Sequence, residues 1–166
     1  MNKTIFKFSL YSFFGAAILF LIGLLIGREL SHSANEVIGY CSLVVSLVFV
    51  YFGVKNYRDK ESNGAISFGK ALGIGMLITL FAALGFAIID FIYTTYIDPE
   101  FVGQFIDHQI EVAEKALSGQ ELIDKKAEIE GYRNWSSTDM ALLMFATVIL
   151  IGFIISLISS LVLNKK

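Results

Sequence analysis

The stretch ALGIGMLITLFAALGFAII, residues 71–89, holds 19 consecutive side chains without a charge. A bilayer core about 30 Å thick is crossed by roughly 20 apolar helical residues, so this run is long enough to span one. Three others match it. Residues 8–27, 37–54 and 140–163 are likewise free of Asp, Glu, Lys and Arg. Buried helices of a soluble protein keep a polar stripe at the 3.6-residue period, and these runs keep none. Composition agrees, with 55% hydrophobic and 17% charged residues against the roughly 25% charged usual in soluble domains. The reading is an all-α integral membrane four-helix bundle in a single domain, residues 1–166. Its spans lie at about 8–27, 37–54, 71–93 and 140–163.

The first run follows Lys3 and Lys7, as the apolar core of a signal peptide would. Such cores run to about 7–15 residues and end at a small-x-small site. This one is longer and ends in Gly27-Arg28-Glu29, so it reads as a retained first span. Short cytoplasmic segments collect Lys and Arg. Lys3, Lys7, Lys55, Arg58, Lys60, Lys70, Lys165 and Lys166 all fall on one side of the four-span layout. The other side has Arg28, plus a long segment with ten acids and four bases between residues 98 and 139. Both termini are therefore expected in the cytoplasm and that segment outside. Tyr51, Tyr57, Tyr93, Tyr96, Tyr132 and Trp135 stand near span ends, where aromatic rings prefer the headgroup level.

Lipid gives helices no hydrophobic reason to associate, so small residues that allow close approach take over. The third span carries them four apart: Ser67, Ala71, Gly75, Thr79, Ala83 and Ala87. Gly69 and Gly73 add a GxxxG pair beside that row. The fourth span has Gly152, Ser156 and Ser160, the first Gly23 and Gly27, and the second Ser42 and Ser46. The third span thus reads as the central packing helix. Its groove serves either the bundle itself or a homo-oligomer.

Asp98-Pro99-Glu100 reads as a helix start, with an acid at the cap and proline in the first turn. From Phe101 to Leu117 a helical wheel puts Phe101, Val102, Phe105, Ile106, Ile110, Val112, Ala113, Ala116 and Leu117 on one half, with Gln109 the only polar intruder. Ser118-x-x-Glu121 and Ser136-x-x-Asp139 fit capping boxes. Residues 98–135 are therefore expected to form an external amphipathic helical hairpin between spans three and four. Membrane-surface helices usually carry Lys and Arg on the polar face. This one carries acids, so its apolar face is expected to pack on the outer span ends or on a partner. Asp107, Glu111 and Glu114 share one ridge and repel weakly. They suit a divalent cation or a basic partner, or are simply solvated.

Several motifs fall short. Gly64 to Lys70 matches GxxxxGK, yet Ala71 follows where a phosphate loop needs Ser or Thr, and no strand precedes it. An Asn63-Gly64 turn with Lys70 as an interfacial anchor accounts for it. His32 and His108 are the only histidines and no second His or Cys stands near either, so no metal or cofactor is expected. Cys41 reads as a small buried apolar side chain. The sequon-like Asn134-Trp135-Ser136 stands too close to the bilayer to matter. A nucleic-acid partner is not expected, there being no basic footprint. Asp90 is the one ionisable side chain within a span, and such acids are functional candidates by default. Near the outer end, within reach of water, it reads as an outer-vestibule contact or an interface residue.

The stretch Tyr51 to Lys60, followed by Ile66-Ser-Phe-Gly-Lys-Ala and Ile97-Asp-Pro-Glu-Phe, resembles a bacterial family typical of Bacteroidota, catalogued as domain of unknown function 4199. The acidic hairpin and the final Lys165-Lys166 fit as well. The resemblance spans nearly the whole chain and implies a four-span inner-membrane protein without an assigned activity. The expected role is that of a non-enzymatic accessory or scaffold acting through protein contacts. The alternative is a small oligomeric channel or transporter.

Overall fold

The computed structural model describes residues 3–27 and 32–164, without the side chains of residues 32, 33, 35 and 36. Arg28, Glu29, Lys165, Lys166 and the side chain of His32, used above, lie outside the described residues. The chain is all-α. Its six helices are α1 (Lys3–Gly27), α2 (His32–Glu61), α3 (Phe68–Ile92), α4 (Phe101–Ala116), α5 (Gly119–Gly131) and α6 (Ser137–Leu163). Four of them, α1, α2, α3 and α6, are long and apolar enough to cross a membrane. The protein is a multi-pass membrane protein on that ground.

The helices overrun the charge-free runs. α2 carries Lys55, Arg58 and Lys60 as its last turns, where the sequence reading had a loop. It stops only where the backbone turns left-handed, at Asn63 (φ 50°) and Gly64 (φ 83°). There the Gly64 N–H closes on the Arg58 carbonyl at 2.9 Å, a six-residue return that glycine makes accessible. α3 ends in a wider π-helical turn, Tyr93–Ile97, closed by the Asp98 N–H on the Tyr93 carbonyl at 2.8 Å.

α3 packs against α6, α1 and α2, and α2 also touches α1 and α6. Close approach is set by small residues. A Cβ placed on Gly75 would stand 2.8 Å from the Ser156 hydroxyl, and one on Gly152 would run into the Thr79 methyl. Across that seam the Thr79 and Ser156 hydroxyls lie 3.3 Å apart. Nearer the other end of α3, a Cβ on Gly85 would stand 2.6 Å from the Phe13 carbonyl oxygen of α1. Ser12 of α1 donates to the Ser46 carbonyl of α2 at 3.1 Å. Between the contacts the core is apolar, with Leu47, Val50, Ile78 and Val148 fully buried.

α4 and α5 form the hairpin around a small core of their own, Ile106, Ala113 and Ile129, flanked by Val102, Ile110, Leu117, Leu122 and Tyr132. Much of the amphipathic face is thus covered by α5. Its first residue, Phe101, reaches the bundle and meets Tyr93 edge-on at 5.3 Å. The start of α4 differs from expectation. Asp98, Pro99 and Glu100 form a turn, and Glu100 precedes the helix without a side-chain cap. The Asp98 carboxylate turns instead towards the Tyr93 hydroxyl, 3.5 Å away. Ser118 precedes α5 but makes no capping bond. Only the Ser136–Asp139 box forms, with Asp139 accepting from the Ser136 N–H at 2.8 Å and donating its own N–H to the Ser136 hydroxyl at 3.3 Å.

Three further expectations fail. Tyr93 is 1% exposed and is a core residue rather than a headgroup anchor, because the π-helical turn and α4 cover it. Cys41 is exposed: an apolar run without a polar stripe gives no sign of which face turns outward. Gly69 and Gly73 are exposed, with no atom within 4 Å of an added Cβ, so that GxxxG pair packs against nothing in the fold.

Candidate functional site

Where the hairpin meets the bundle, the spans part around a chamber of about 460 Å³. Every spanning helix contributes a wall: Phe20 and Gly23 from α1, Tyr40 and Leu43 from α2, Phe86 and Asp90 from α3, Met144 and Thr147 from α6. α4 roofs it with Phe101, Val102, Phe105 and Gln109. The lining residues Tyr40, Leu143 and Phe105 are 65%, 47% and 41% exposed and mark its open side.

Asp90 sits in this wall. It is 6% exposed, and its Oδ2 has no hydrogen-bond partner. The sequence reading had water reaching it, but a roof supplied by residues more than ten positions later buries it. A buried carboxylate oxygen without a donor is costly, which makes Asp90 the candidate functional group of the chamber. One turn on, Thr94 lines the same chamber and donates its hydroxyl to the Asp90 backbone carbonyl at 2.8 Å. Thr147 donates likewise to the Leu143 carbonyl at 2.9 Å. Both hydroxyl protons are therefore committed, and the oxygens remain as acceptors. Gln109, the polar intruder on the apolar face of α4, belongs to this chamber.

The small-residue row divides. Ala71, Gly75, Thr79 and Ala83 are buried; Ala87 is half-buried and Ser67 exposed, ahead of the first turn of α3. Gly152, Ser156 and Ser160 are buried on α6. Ser160 donates to the Ser156 carbonyl at 2.6 Å. The sequence reading missed Gly85, Gly53 and the α1 row Ser9, Ser12 and Ala16, all buried. The α1 row repeats at three and four residues and was there to be found.

The acidic ridge is paired within the hairpin. Glu111 accepts from Lys115 at 2.6 Å, Glu114 from Lys126 at 2.5 Å and Asp107 from Arg133 at 2.6 Å. The last two pairs tie α4 to α5 and to the turn that follows it. Arg133 also holds Glu130 at 2.6 Å, which keeps that carboxyl below its ordinary range; the same two carboxylates push the Arg133 guanidinium up. No group of three or more His, Cys, Asp or Glu suited to a metal ion occurs among the described residues. The GxxxxGK segment turns through Gly64 and ends with the Lys70 ammonium 5.0 Å above the Tyr57 ring, a cation–π contact.

No curated protein and no solved structure matches the chain. A family model does, over residues 7–165, nearly the full length and all of the long apolar helices but the first residues of α1. The chain belongs to the family described as protein of unknown function (DUF4199).

Proposed function

We propose that this is a non-enzymatic accessory protein of a bacterial inner membrane, which works through protein contacts made by its external hairpin. The observation that carries the reading is the build of that hairpin. It has its own apolar core and three cross-linking or bracing ion pairs, yet Phe105 and Val112, seven residues apart on one ridge of α4, remain 41% and 44% exposed. A hairpin with a core of its own that still exposes these two apolar side chains, Phe105 at the mouth of the chamber and Val112 beyond it, suits recognition. The charge pattern supports both termini in the cytoplasm with the hairpin outside, and the family resemblance supports a source among the Bacteroidota. An enzymatic role is no part of the proposal: the chamber offers one carboxylate with hydroxyl and amide groups and no histidine or cysteine among its described lining.

The test places a photo-crosslinking residue at Val112 or Phe105 and irradiates intact membranes. One dominant protein adduct, absent with the crosslinker at exposed Ile123 on α5, is the expected result. Oligomeric conduction is the second reading, favoured by the acid-lined chamber. Phe20 and Phe86 of its lining meet at 4.9 Å between ring centroids, and four spans are too few to line a wide pore, so conduction would require oligomers. Selective flux in liposomes together with no adduct from either hairpin position would replace the first reading by the second.

A further inference from the structure

The chamber carries an inference independent of the hairpin's partner. We propose that it binds a lipophilic primary amine, the ammonium group on Asp90 and the apolar body against the phenylalanines and methionines of the walls.

Three observations converge on that chemistry. The size, about 460 Å³, falls within the range of pockets that hold drug-sized molecules. The lining is mainly apolar, and beside the Gln109 amide and the Tyr40 hydroxyl its polar groups are the Asp90 carboxylate and the Thr94 and Thr147 hydroxyls, which offer acceptors. Asp90 Oδ2 is buried and has no donor. Thr94 and Thr147 have spent their protons on backbone carbonyls. A site with surplus acceptors and a negative charge is completed by a group that brings several N–H donors and a positive charge, and an ammonium does both. Among the described residues no Lys or Arg lines the chamber, so none of them offers an anion a positive charge. This separates a simple lipophilic amine from a zwitterionic lipid headgroup, whose phosphate would be left unpaired beside a carboxylate. Aromatic faces at Phe20, Phe86 and Phe101 add favourable contacts for a cation. Entry is lateral, past Tyr40 and Leu143 on the open side, which suits a molecule that first dissolves in the bilayer.

The test uses the full chain in phosphatidylcholine nanodiscs with dansylcadaverine as the probe, which joins a fluorophore to a primary ammonium. Saturable binding is expected, weakened about tenfold or more by Asp90→Asn, since a charge-assisted contact is lost while shape is kept. Leu143→Trp, at the exposed mouth and away from the packed bundle, is expected to block binding while leaving thermal unfolding unchanged. The N-acetylated probe, equal in shape but neutral, is expected not to compete. Equal affinity for wild type and Asp90→Asn, or equal binding of the acetylated probe, would overturn the proposal. Competition by phosphatidylethanolamine in mixed nanodiscs would overturn its choice of a simple amine and assign the chamber to a lipid headgroup.

Discussion

Replacing Gly152 by alanine adds one methyl group at the tightest point between α3 and α6. The new Cβ would overlap the Thr79 methyl and stand 2.8 Å from its hydroxyl oxygen. Thr79 has nowhere to go. It is fully buried, its β-branched side chain has few χ1 rotamers open to it on a helix, and rotation would break its contact with Ser156 at 3.3 Å. The helices must therefore separate by roughly 1 Å to restore normal packing distances, and lipid offers no hydrophobic compensation for the lost contact. Overpacking of this kind costs about 1–3 kcal/mol; with a rigid, buried neighbour the upper half of that range is expected, which shifts the unfolding equilibrium by tenfold or more. The assay is reversible unfolding in mixed detergent and SDS, followed by helix content. Gly73→Ala is the internal control, adding the same methyl to α3 where nothing lies within 4 Å. Gly75→Ala should fall between the two, because its obstacle is the smaller Ser156 side chain. Thr79→Ser, which deletes the obstructing methyl, should restore part of the stability lost by Gly152→Ala. Equal stabilities for Gly152→Ala and Gly73→Ala, or no rescue by Thr79→Ser, would refute the reasoning.

Other expectations rest on polar contacts. Ser12→Ala removes the α1–α2 hydrogen bond to the Ser46 carbonyl and should cost about 0.6 kcal/mol in the same assay, the average for interhelical bonds in a bilayer; a loss above about 2 kcal/mol would mean that packing, not the bond, was disturbed. Glu130 is held below its ordinary value of 4.5, first of all by its bond from Arg133, so its contribution is complete above that pH and is lost as pH falls below it. Amide protection at residues 132–134, taken relative to the intrinsic exchange rate at each pH, should fall below about pH 4.5 in the wild type and be low at all pH values in Arg133→Gln; identical profiles would dismiss the pairing. Ser136→Ala, which removes half of the cap on α6, should speed exchange at the Asp139 amide while leaving residues from Val148 onward unchanged.

What could be read in advance follows from which solvent each segment meets. The four long apolar helices were legible because hydrocarbon tolerates no unpaired backbone group and few charges, and residues 71–89 state that without help from the rest of the chain. The face by which each span packs was less legible for the same reason. In water an amphipathic stripe points to the core, but here Cys41 faces outward and Gly69 and Gly73 touch nothing, while Gly85 lies under the Phe13 carbonyl. Only the positions of small residues distinguish faces, and several rows compete. The hairpin obeyed the aqueous rule and its helices were foreseeable, whereas Lys126 and Arg133, the partners of Glu114 and Asp107, stand 12 and 26 residues away and no local spacing announces them. Asp90 was visible as an anomaly, but its burial was not, because the roof over it is a tertiary consequence of the turn at Asp98-Pro99-Glu100. α4, joined to α5 and the turn after it by the Glu114–Lys126 and Asp107–Arg133 pairs, covers the chamber and leaves one side open. A buried carboxylate oxygen without a donor costs the bundle stability, and a group that entered the chamber with N–H donors would relieve that cost.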